Sequence, residues 1–297
     1  MSQAADSSLL SPELLAQLER LEIVTRKIFR GRTKGERRSL RKGQSVEFAD
    51  FRNYVPGDDM RFVDWNTYAR LDRLFLKMFF EEEDLRLYLL IDASRSMDFG
   101  TPTKLSYARQ LAAALGFVGL ARGDRVRIET LGQSARRPGQ AWRSRTSLWR
   151  MLGQIAAIEP NEAISLAAGV KNFVLRNPGQ GVLVLISDLL DKQGYDAAFR
   201  YLLAQRMDVY VIHVLSPEEL DPELQGDLKL IDCEDQDAVE ITVSAPLLKR
   251  YRQTMAAFIA GAKEFCTRRG MHYIPTNTTI PIEKFVSGYL NKRGLLR

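Results

Sequence analysis

The sequence predicts an α/β protein with a mostly parallel central sheet and helices on both of its faces. The first observation is that three strand-like runs, residues 85–91, 182–186 and 208–215, are largely apolar at successive positions. This pattern is typical of strands that are covered on both faces. The second observation is that segments with helical periodicity alternate with these runs, as the crossover connections of a parallel sheet require.

The N-terminal part of the chain has a different character. Residues 11–30 are predicted to form a helix, with leucines at helical spacing. A strongly basic stretch follows at residues 26–42, and residues 44–84 mix aromatic, charged and turn residues. The apolar residues of 44–84 are too sparse for a separate core. We therefore predict that residues 1–83 form an N-terminal extension that packs on a main domain, residues 84–297.

Strands and helices alternate along the first part of the main domain. The helix predicted over residues 104–122 has an apolar stripe that begins at Leu105 and includes Leu111 and Val118. Further helices and strands follow from the same kind of periodicity. The predicted strands are 85–91, 126–130, 182–186 and 208–215, and the predicted helices are 104–122, 148–155, 166–174 and 195–206.

The alternation ends after residue 215. Residues 226–244 contain two short strand patterns joined by an acidic turn, which predicts a β-hairpin insertion. A long helix is predicted over 245–269 and ends at Gly270, a residue typical of helix C-termini. A short strand at 271–275 and a helix at 282–292 complete the chain.

Composition excludes several classes of function. The 297 residues carry a net charge of +6, a balance that allows anionic partners without identifying one. Cys233 and Cys266 are too few for a disulfide framework or a zinc site, and we expect both to be reduced. His213 lies inside a strand-like run, which favours a packed histidine over a catalytic one. The nucleotide-binding and hydrolase-elbow glycine motifs are absent from the sequence.

The sequence also suggests where the protein acts. The N-terminus has no basic segment followed by an apolar one, so a signal peptide is not expected. The longest small and apolar run, residues 111–121, is too short to span a bilayer. We expect a cytoplasmic protein without a membrane span.

Oxygen-bearing side chains directly follow two of the predicted buried strands. Asp92, Ser94 and Ser96 come after strand 85–91, and Asp188 follows strand 182–186. Carboxylate and hydroxyl oxygens are the ligands that hard cations prefer. These four residues therefore form a candidate metal site at the carboxyl edge of the sheet. The alternative is that these residues only cap a helix or close a turn.

The Asp-x-Ser-x-Ser pattern resembles the metal-ion-dependent adhesion site (MIDAS) of von Willebrand factor A-like domains, which have a Rossmann-type fold. In that family Asp188 matches the last acidic ligand. The middle ligand is usually a threonine, and Ile164 stands near its position, with Ser165 or Glu162 as possible substitutes. The resemblance thus implies a degenerate site with weak affinity for Mg²⁺.

A second resemblance covers almost the whole chain. The residues that carry it are Gly57, Asp58, Asp59, Arg61, Asp64, Trp65, Ala69, Arg70, Glu81, Glu82, Glu83, the stretch 247–252 with Tyr251, Arg268, Arg269, Gly270 and Met271. With these residues the chain is similar to the bacterial family called domain of unknown function fifty-eight, whose members are linked to MoxR-type AAA+ ATPases. The resemblance therefore implies a role as the adaptor or partner of such an ATPase.

We thus predict a non-enzymatic protein-binding module. One alternative is a metal-dependent phosphohydrolase that uses the same loops, although a positioned base or second metal is not visible in the sequence. Another alternative is a nucleic-acid binder acting through the basic stretch 26–42. No nucleic-acid module accompanies that stretch, so we do not expect nucleic acid to be the partner.

Overall fold

The computed structural model describes residues 9–23, 48–79, 85–131, 140–160, 164–232 and 237–296. The basic stretch 26–42, the acidic residues 81–83, Glu162 and Cys233 lie outside these ranges. The chain divides into two compact units. The larger contains residues 1–27 and 85–297, and the smaller contains residues 28–84. That residues 1–83 form an extension packing on a main domain stays a prediction.

The helices and strands follow one another as the alternating pattern predicted. The helices are α1 (Pro12–Leu18), α2 (Trp65–Leu71), α3 (Lys104–Ala121), α4 (Leu148–Ala156), α5 (Leu166–Arg176), α6 (Asp196–Leu203), α7 (Pro217–Leu220), α8 (Ala245–Arg268) and α9 (Ile282–Lys284), the last continued by a π-helical turn (Phe285–Leu290). The strands are β1 (Phe48–Asn53), β2 (Phe75–Phe79), β3 (Arg86–Asp92), β4 (Arg125–Leu131), β5 (Ala141–Trp142), β6 (Gly181–Ser187), β7 (Met207–Leu215), β8 (Gly226–Ile231), β9 (Ala238–Val243) and β10 (His272–Asn277).

The larger unit is built around a six-stranded sheet with the order β10-β7-β6-β3-β4-β5. All neighbouring strands are parallel except β5, which runs antiparallel to β4. Every residue of β6 and β7 is buried, and in β3 only Arg86 is exposed. The predicted α/β class, with a mostly parallel central sheet flanked by helices, is confirmed.

Helices cover both faces of this sheet. On one face α3 lies so close that a Cβ atom at Gly119 would come within 2.7 Å of Val126 on β4. On the other face Phe173 of α5, Phe199 of α6 and Phe265 of α8 form one apolar cluster with side chains of the strands. The core of the larger unit therefore has two layers, one on each side of the sheet.

The order of the strands contains one reversal. From β3 the chain moves to β4 on one side, and the later strands β6, β7 and β10 are added on the other side. The carboxyl ends of β3 and β6 are therefore neighbours at the reversal point. This is the position at which open α/β sheets usually bind ligands.

The smaller unit contains the antiparallel pair β1–β2 and the short helix α2. Its charged residues form local pairs, such as Arg52 with Asp58 at 2.6 Å and Arg61 with Asp59 at 2.7 Å. Asp64 accepts hydrogen bonds from two backbone amides at the start of α2. The side chain of Trp65 is 53% exposed. The acidic residues Asp58, Asp59 and Asp64 are therefore engaged in ion pairs or a helix cap within the unit.

Several elements depart from the predicted bounds. Helix α1 ends at Leu18, whereas the prediction extended it to residue 30. The hairpin β8–β9 forms where it was predicted, as a separate two-stranded sheet. Gly270 has a φ of +73°, the left-handed conformation expected just after the end of a helix such as α8. Within the described ranges, every helix is too short or too polar to cross a bilayer.

Candidate functional site

The ends of β3 and β6 bring the first predicted site residues together. Ile91 pairs with Ile186, so Asp92 and Ser187 stand side by side where the strands end. The Ser187 hydroxyl donates a 2.6 Å hydrogen bond to Oδ2 of Asp92. Oδ1 of Asp92 accepts a 3.0 Å bond from the backbone amide of Ser94, which turns the chain away from the sheet. The strands therefore fix the orientation of the Asp92 carboxylate.

The two serines of the first loop also contact one another. The Oγ atoms of Ser94 and Ser96 are 2.9 Å apart, and both side chains are half-buried. Two hydroxyl oxygens at this separation can contact the same cation or the same polar group of a partner.

The loop after β6 supplies the fourth predicted residue. Asp188 is buried, and its Oδ1 accepts a 3.1 Å hydrogen bond from the backbone amide of Leu190. Leu189, between them, has a φ of +58°, a left-handed conformation that leucine seldom adopts. Since non-glycine residues in this region are strained, the surrounding structure must hold this loop in place.

A cleft of about 180 Å³ opens between these loops and the start of α5. Asp92, Ser94 and Asp188 line it, together with Ile164 and Ser165. Ser96 does not line the cleft itself, but its hydroxyl contacts that of Ser94. The structure thus brings all four predicted residues to one edge of the sheet.

The expected middle ligand is not supplied by the described residues. Ile164 lines the cleft with a hydrocarbon side chain that has no oxygen. The Ser165 hydroxyl already accepts a 3.3 Å hydrogen bond from the Ala168 amide as the N-cap of α5. Glu162 lies outside the described residues.

A buried lysine behind the cleft was missed by the sequence analysis. Lys104, the first residue of α3, is fully buried, and its Nζ donates a 2.6 Å hydrogen bond to Oδ2 of Asp188. It also donates to Oε1 of Glu219, whose other oxygen accepts from the Ser216 amide. From the sequence alone, Lys104 is expected to be exposed at the start of an amphipathic helix. The position of Glu219 could have been predicted from the sequence, because Ser216 and Glu219 have the spacing of a capping box at the start of a helix.

Burial and neighbouring charges shift the pKa values of Asp92 and Lys104. Burial raises the pKa of Asp92, and repulsion by Asp188 raises it further, against the hydrogen bonds from Ser187 and Ser94. Burial lowers the pKa of Lys104, but the attraction of Asp188 and Glu219 outweighs burial and leaves the pKa above its ordinary value. The lysine is therefore a permanent positive charge beside Asp188.

His213 supports the site from within the sheet. Its side chain is fully buried on β7, and its Nε2 lies 2.8 Å from the backbone oxygen of Asp188. A carbonyl oxygen only accepts, so Nε2 carries the proton and Nδ1 accepts from the Tyr273 hydroxyl. Burial lowers the pKa of His213 to about 4, and the ring is neutral near pH 7. His213 is thus a positioning residue for the backbone of Asp188, in line with the predicted packed histidine.

Comparison with known proteins identifies the family. The model of the family described as "Protein of unknown function DUF58" matches residues 50–259. This chain belongs to the DUF58 family. Uncharacterized proteins from Mycobacterium bovis and from Mycobacterium tuberculosis H37Rv are each 30% identical to this DUF58 chain over 251 residues, or 83% of it and 79% of their own length. The predicted resemblance to the family called domain of unknown function fifty-eight is confirmed.

Similar solved structures include the conserved hypothetical protein BatB from Bacteroides thetaiotaomicron. It is 14% identical to this DUF58 chain, with a TM-score of 0.40, and the match covers 70% of this chain and 98% of that protein. An aerotolerance-related membrane protein from Bacteroides fragilis matches at 16% identity, also with a TM-score of 0.40, over 70% of this chain and 99% of its own.

The four predicted site residues of this DUF58 protein carry carboxylate and hydroxyl oxygens, the ligands that a hard cation prefers. The hydroxyls of Ser94 and Ser96 can contact an ion directly. The oxygens of Asp92 and Asp188 already accept hydrogen bonds, so they fit an ion best through bridging water. Among the described residues, no group of three or more acidic, histidine or cysteine side chains is arranged to hold a metal. A Mg²⁺ ion at these residues therefore stays a prediction.

Proposed function

We propose that this protein is a cytoplasmic, non-enzymatic adaptor whose von Willebrand factor A-like domain binds a protein partner at the carboxyl edge of the sheet. The observation that carries the proposal is the contact between Asp92 and Ser187 across β3 and β6. That contact sets the loops bearing Ser94 and Asp188 around one open cleft at the reversal of strand order. Ligands of open α/β sheets bind at this position.

A weakly bound Mg²⁺ is part of the proposal. Ser94 and Ser96 would contact the ion, and Asp92 and Asp188 would hold its water. Bound there, the ion would attract an acidic side chain of the partner. The Lys104 ammonium, 2.6 Å from Asp188, opposes a second positive charge nearby and keeps the affinity low.

Binding is favoured over hydrolysis because the acidic residues that line the described cleft have structural hydrogen bonds. Asp92 accepts from Ser187, and Asp188 accepts from Lys104. Asp191 accepts from the backbone amides of Leu166 and Gln193. A general base needs a lone pair directed at the reacting proton. These carboxylates instead hold the loops in position, as a binding surface requires.

The partner we propose is a MoxR-type AAA+ ATPase. The support for this partner is the family resemblance alone, which is an argument by analogy. The chemistry of the cleft adds one expectation, namely that the contacting segment of the ATPase carries an acidic residue.

The experiment measures binding of the full-length protein to the MoxR-type ATPase of the same organism, by biolayer interferometry. The variants are Ser94→Ala, which removes a hydroxyl that lines the cleft, and Ser96→Ala, which removes the hydroxyl in contact with it; neither leaves a buried charge. Asn172→Ala, an exposed change on α5, is the control. We expect the dissociation constant to rise about tenfold or more in each serine variant, a loss of about 1.4 kcal/mol, and to stay unchanged in the control.

Two outcomes would contradict the proposal. Equal binding by the wild type and both serine variants would place the partner on another surface. Hydrolysis of a phosphate ester by the wild type that is lost in Ser94→Ala would favour the phosphohydrolase instead.

A further inference from the structure

A cluster of arginines lies at the amino end of the sheet, the end opposite the cleft. Arg86 on β3 and Arg125 on β4 are register partners at the first position of both strands. Two residues further on, Tyr88 pairs with Arg127. Alternate residues of a strand point to the same face, so these four side chains share one face of the sheet. Three guanidinium groups and a phenol are therefore concentrated on one small area.

The end of α5 completes this cluster. Arg176 is the last residue of α5, and Asn177 follows it with a buried side chain. The Asn177 side-chain oxygen accepts a hydrogen bond from Arg127. The Arg127 guanidinium carbon also lies 5.9 Å from the centroid of the Tyr88 ring. Arg127 is thus held in a defined orientation by a hydrogen bond and a cation–π contact.

A hollow of about 300 Å³ lies between these side chains. Its described lining includes the four arginines and contains no carboxylate. The acid behind it is Glu129, which forms a 3.0 Å ion pair with Arg176 and accepts a 2.8 Å hydrogen bond from Asn177. Glu129 thereby fixes the end of α5 against the sheet. The described lining of the hollow thus combines four guanidinium groups with the phenol of Tyr88.

We propose that this hollow binds a phosphate-bearing anion. Arg86 and Arg125 are on adjacent strands, about 5 Å apart, so that both can contact one phosphoryl group. The guanidinium fork matches the oxygen geometry of phosphate and donates two parallel hydrogen bonds. A phosphoryl group carries up to two negative charges and a carboxylate only one. Several arginines around one small hollow therefore favour phosphate.

This site is separate from the cleft. The strands that carry both sites run six residues from Arg86 to Asp92, which corresponds to about 20 Å. The inference therefore does not rest on the proposed partner-binding function, and Ser94→Ala should leave phosphate binding unchanged. Free phosphate, pyrophosphate and a nucleotide share the chemistry that the hollow recognises.

The test is titration calorimetry of the full-length protein with inorganic phosphate, pyrophosphate and ADP at low ionic strength. The variants are Arg86→Gln and Arg125→Gln, since both side chains are exposed on strands and their loss leaves the core intact. Arg86→Lys keeps the charge and removes the fork. Arg200→Gln, an exposed change on α6, is the control.

We expect at least one phosphate probe to bind, with affinity about tenfold or more lower in each glutamine variant and unchanged in the control. Arg86→Lys should fall between the wild type and Arg86→Gln, and added salt should weaken binding. Equal affinity for pyrophosphate and ADP would assign the site to the phosphoryl groups, whereas much tighter ADP binding would assign it to a nucleotide. Absence of binding to all three probes at millimolar concentration, or equal binding by the glutamine variants, would overturn the proposal.

Discussion

Replacing Lys104 with methionine tests how the carboxylates of Asp188 and Glu219 are held. The change keeps a long side chain in the same space but removes the ammonium that contacts Asp188 at 2.6 Å and Glu219. Asp188 then keeps its bond from the Leu190 amide, and Glu219 keeps its bond from Ser216. Removing one partner of a buried ion pair costs about 3–5 kcal/mol, because the remaining charge stays buried without compensation.

The expected result is a marked loss of stability. For a domain of this size about 3–5 kcal/mol corresponds to a melting temperature lower by roughly 6–20 °C, measured by circular dichroism. Lys171→Met, an exposed lysine of α5, is the matched control and should change the free energy of unfolding by less than about 0.5 kcal/mol.

A double-mutant cycle separates the ion pair from packing. If Lys104 acts through Asp188, the double variant Lys104→Met with Asp188→Asn should lose at least about 1 kcal/mol less than the sum of the two single variants. Additive losses, or a Lys104→Met variant as stable as the control, would refute the assignment of Lys104 as the cation that holds this carboxylate.

Three further predictions concern single residues. Ile164→Thr should tighten Mg²⁺ binding severalfold in titration calorimetry, because it adds the missing oxygen ligand. Unchanged or weaker affinity would show that residue 164 is not the ligand position. Burial places the pKa of His213 at about 4, below its ordinary 6.5, so the folded state binds fewer protons than the unfolded state between these values. The free energy of unfolding of the wild type, compared with that of His213→Gln, should therefore fall by up to about 3 kcal/mol as the pH drops from 6.5 to 4. Urea unfolding at several pH values measures this, and parallel pH profiles of the two proteins would contradict it. Gly181→Ala should lower the free energy of unfolding by about 1–3 kcal/mol, because the new Cβ would lie 2.3 Å from the Arg86 carbonyl oxygen. The control is Gly153→Ala, which has no atom within 4 Å of its Cβ and should not destabilise the protein. Equal urea midpoints for the two variants would disprove the clash.

The sequence predicted those parts of the fold that depend on hydrophobic pattern. Strands β3, β6 and β7 were found because they are buried on both faces and therefore apolar at successive positions. Strand β5 was missed because two residues, Ala141–Trp142, are too short to show a pattern. The π-helical turn Phe285–Leu290 was predicted as ordinary helix, since side-chain periodicity does not distinguish these hydrogen-bond patterns over one turn.

Some residues of the candidate site could likewise be predicted from the sequence, and others could not. Asp92 and Asp188 could be identified because each follows a buried strand, and parallel strands end at the same edge. Lys104 could not, because its burial depends on partners 84 and 115 residues away in the chain. No local pattern reports such a distant contact. The arginine hollow was missed for a similar reason, since Arg86, Arg125 and Arg176 become neighbours only through strand register and the end of α5.

The left-handed backbone of Leu189 has a consequence for the speed of association. The Asp188 loop holds its unfavourable conformation within the folded chain, secured by the hydrogen bonds of Ser187 and His213. Its ordering therefore takes place when the domain folds, before any partner arrives. A partner that docks here meets a surface already in its final shape, so diffusion and orientation, rather than loop rearrangement, set the rate at which the complex forms.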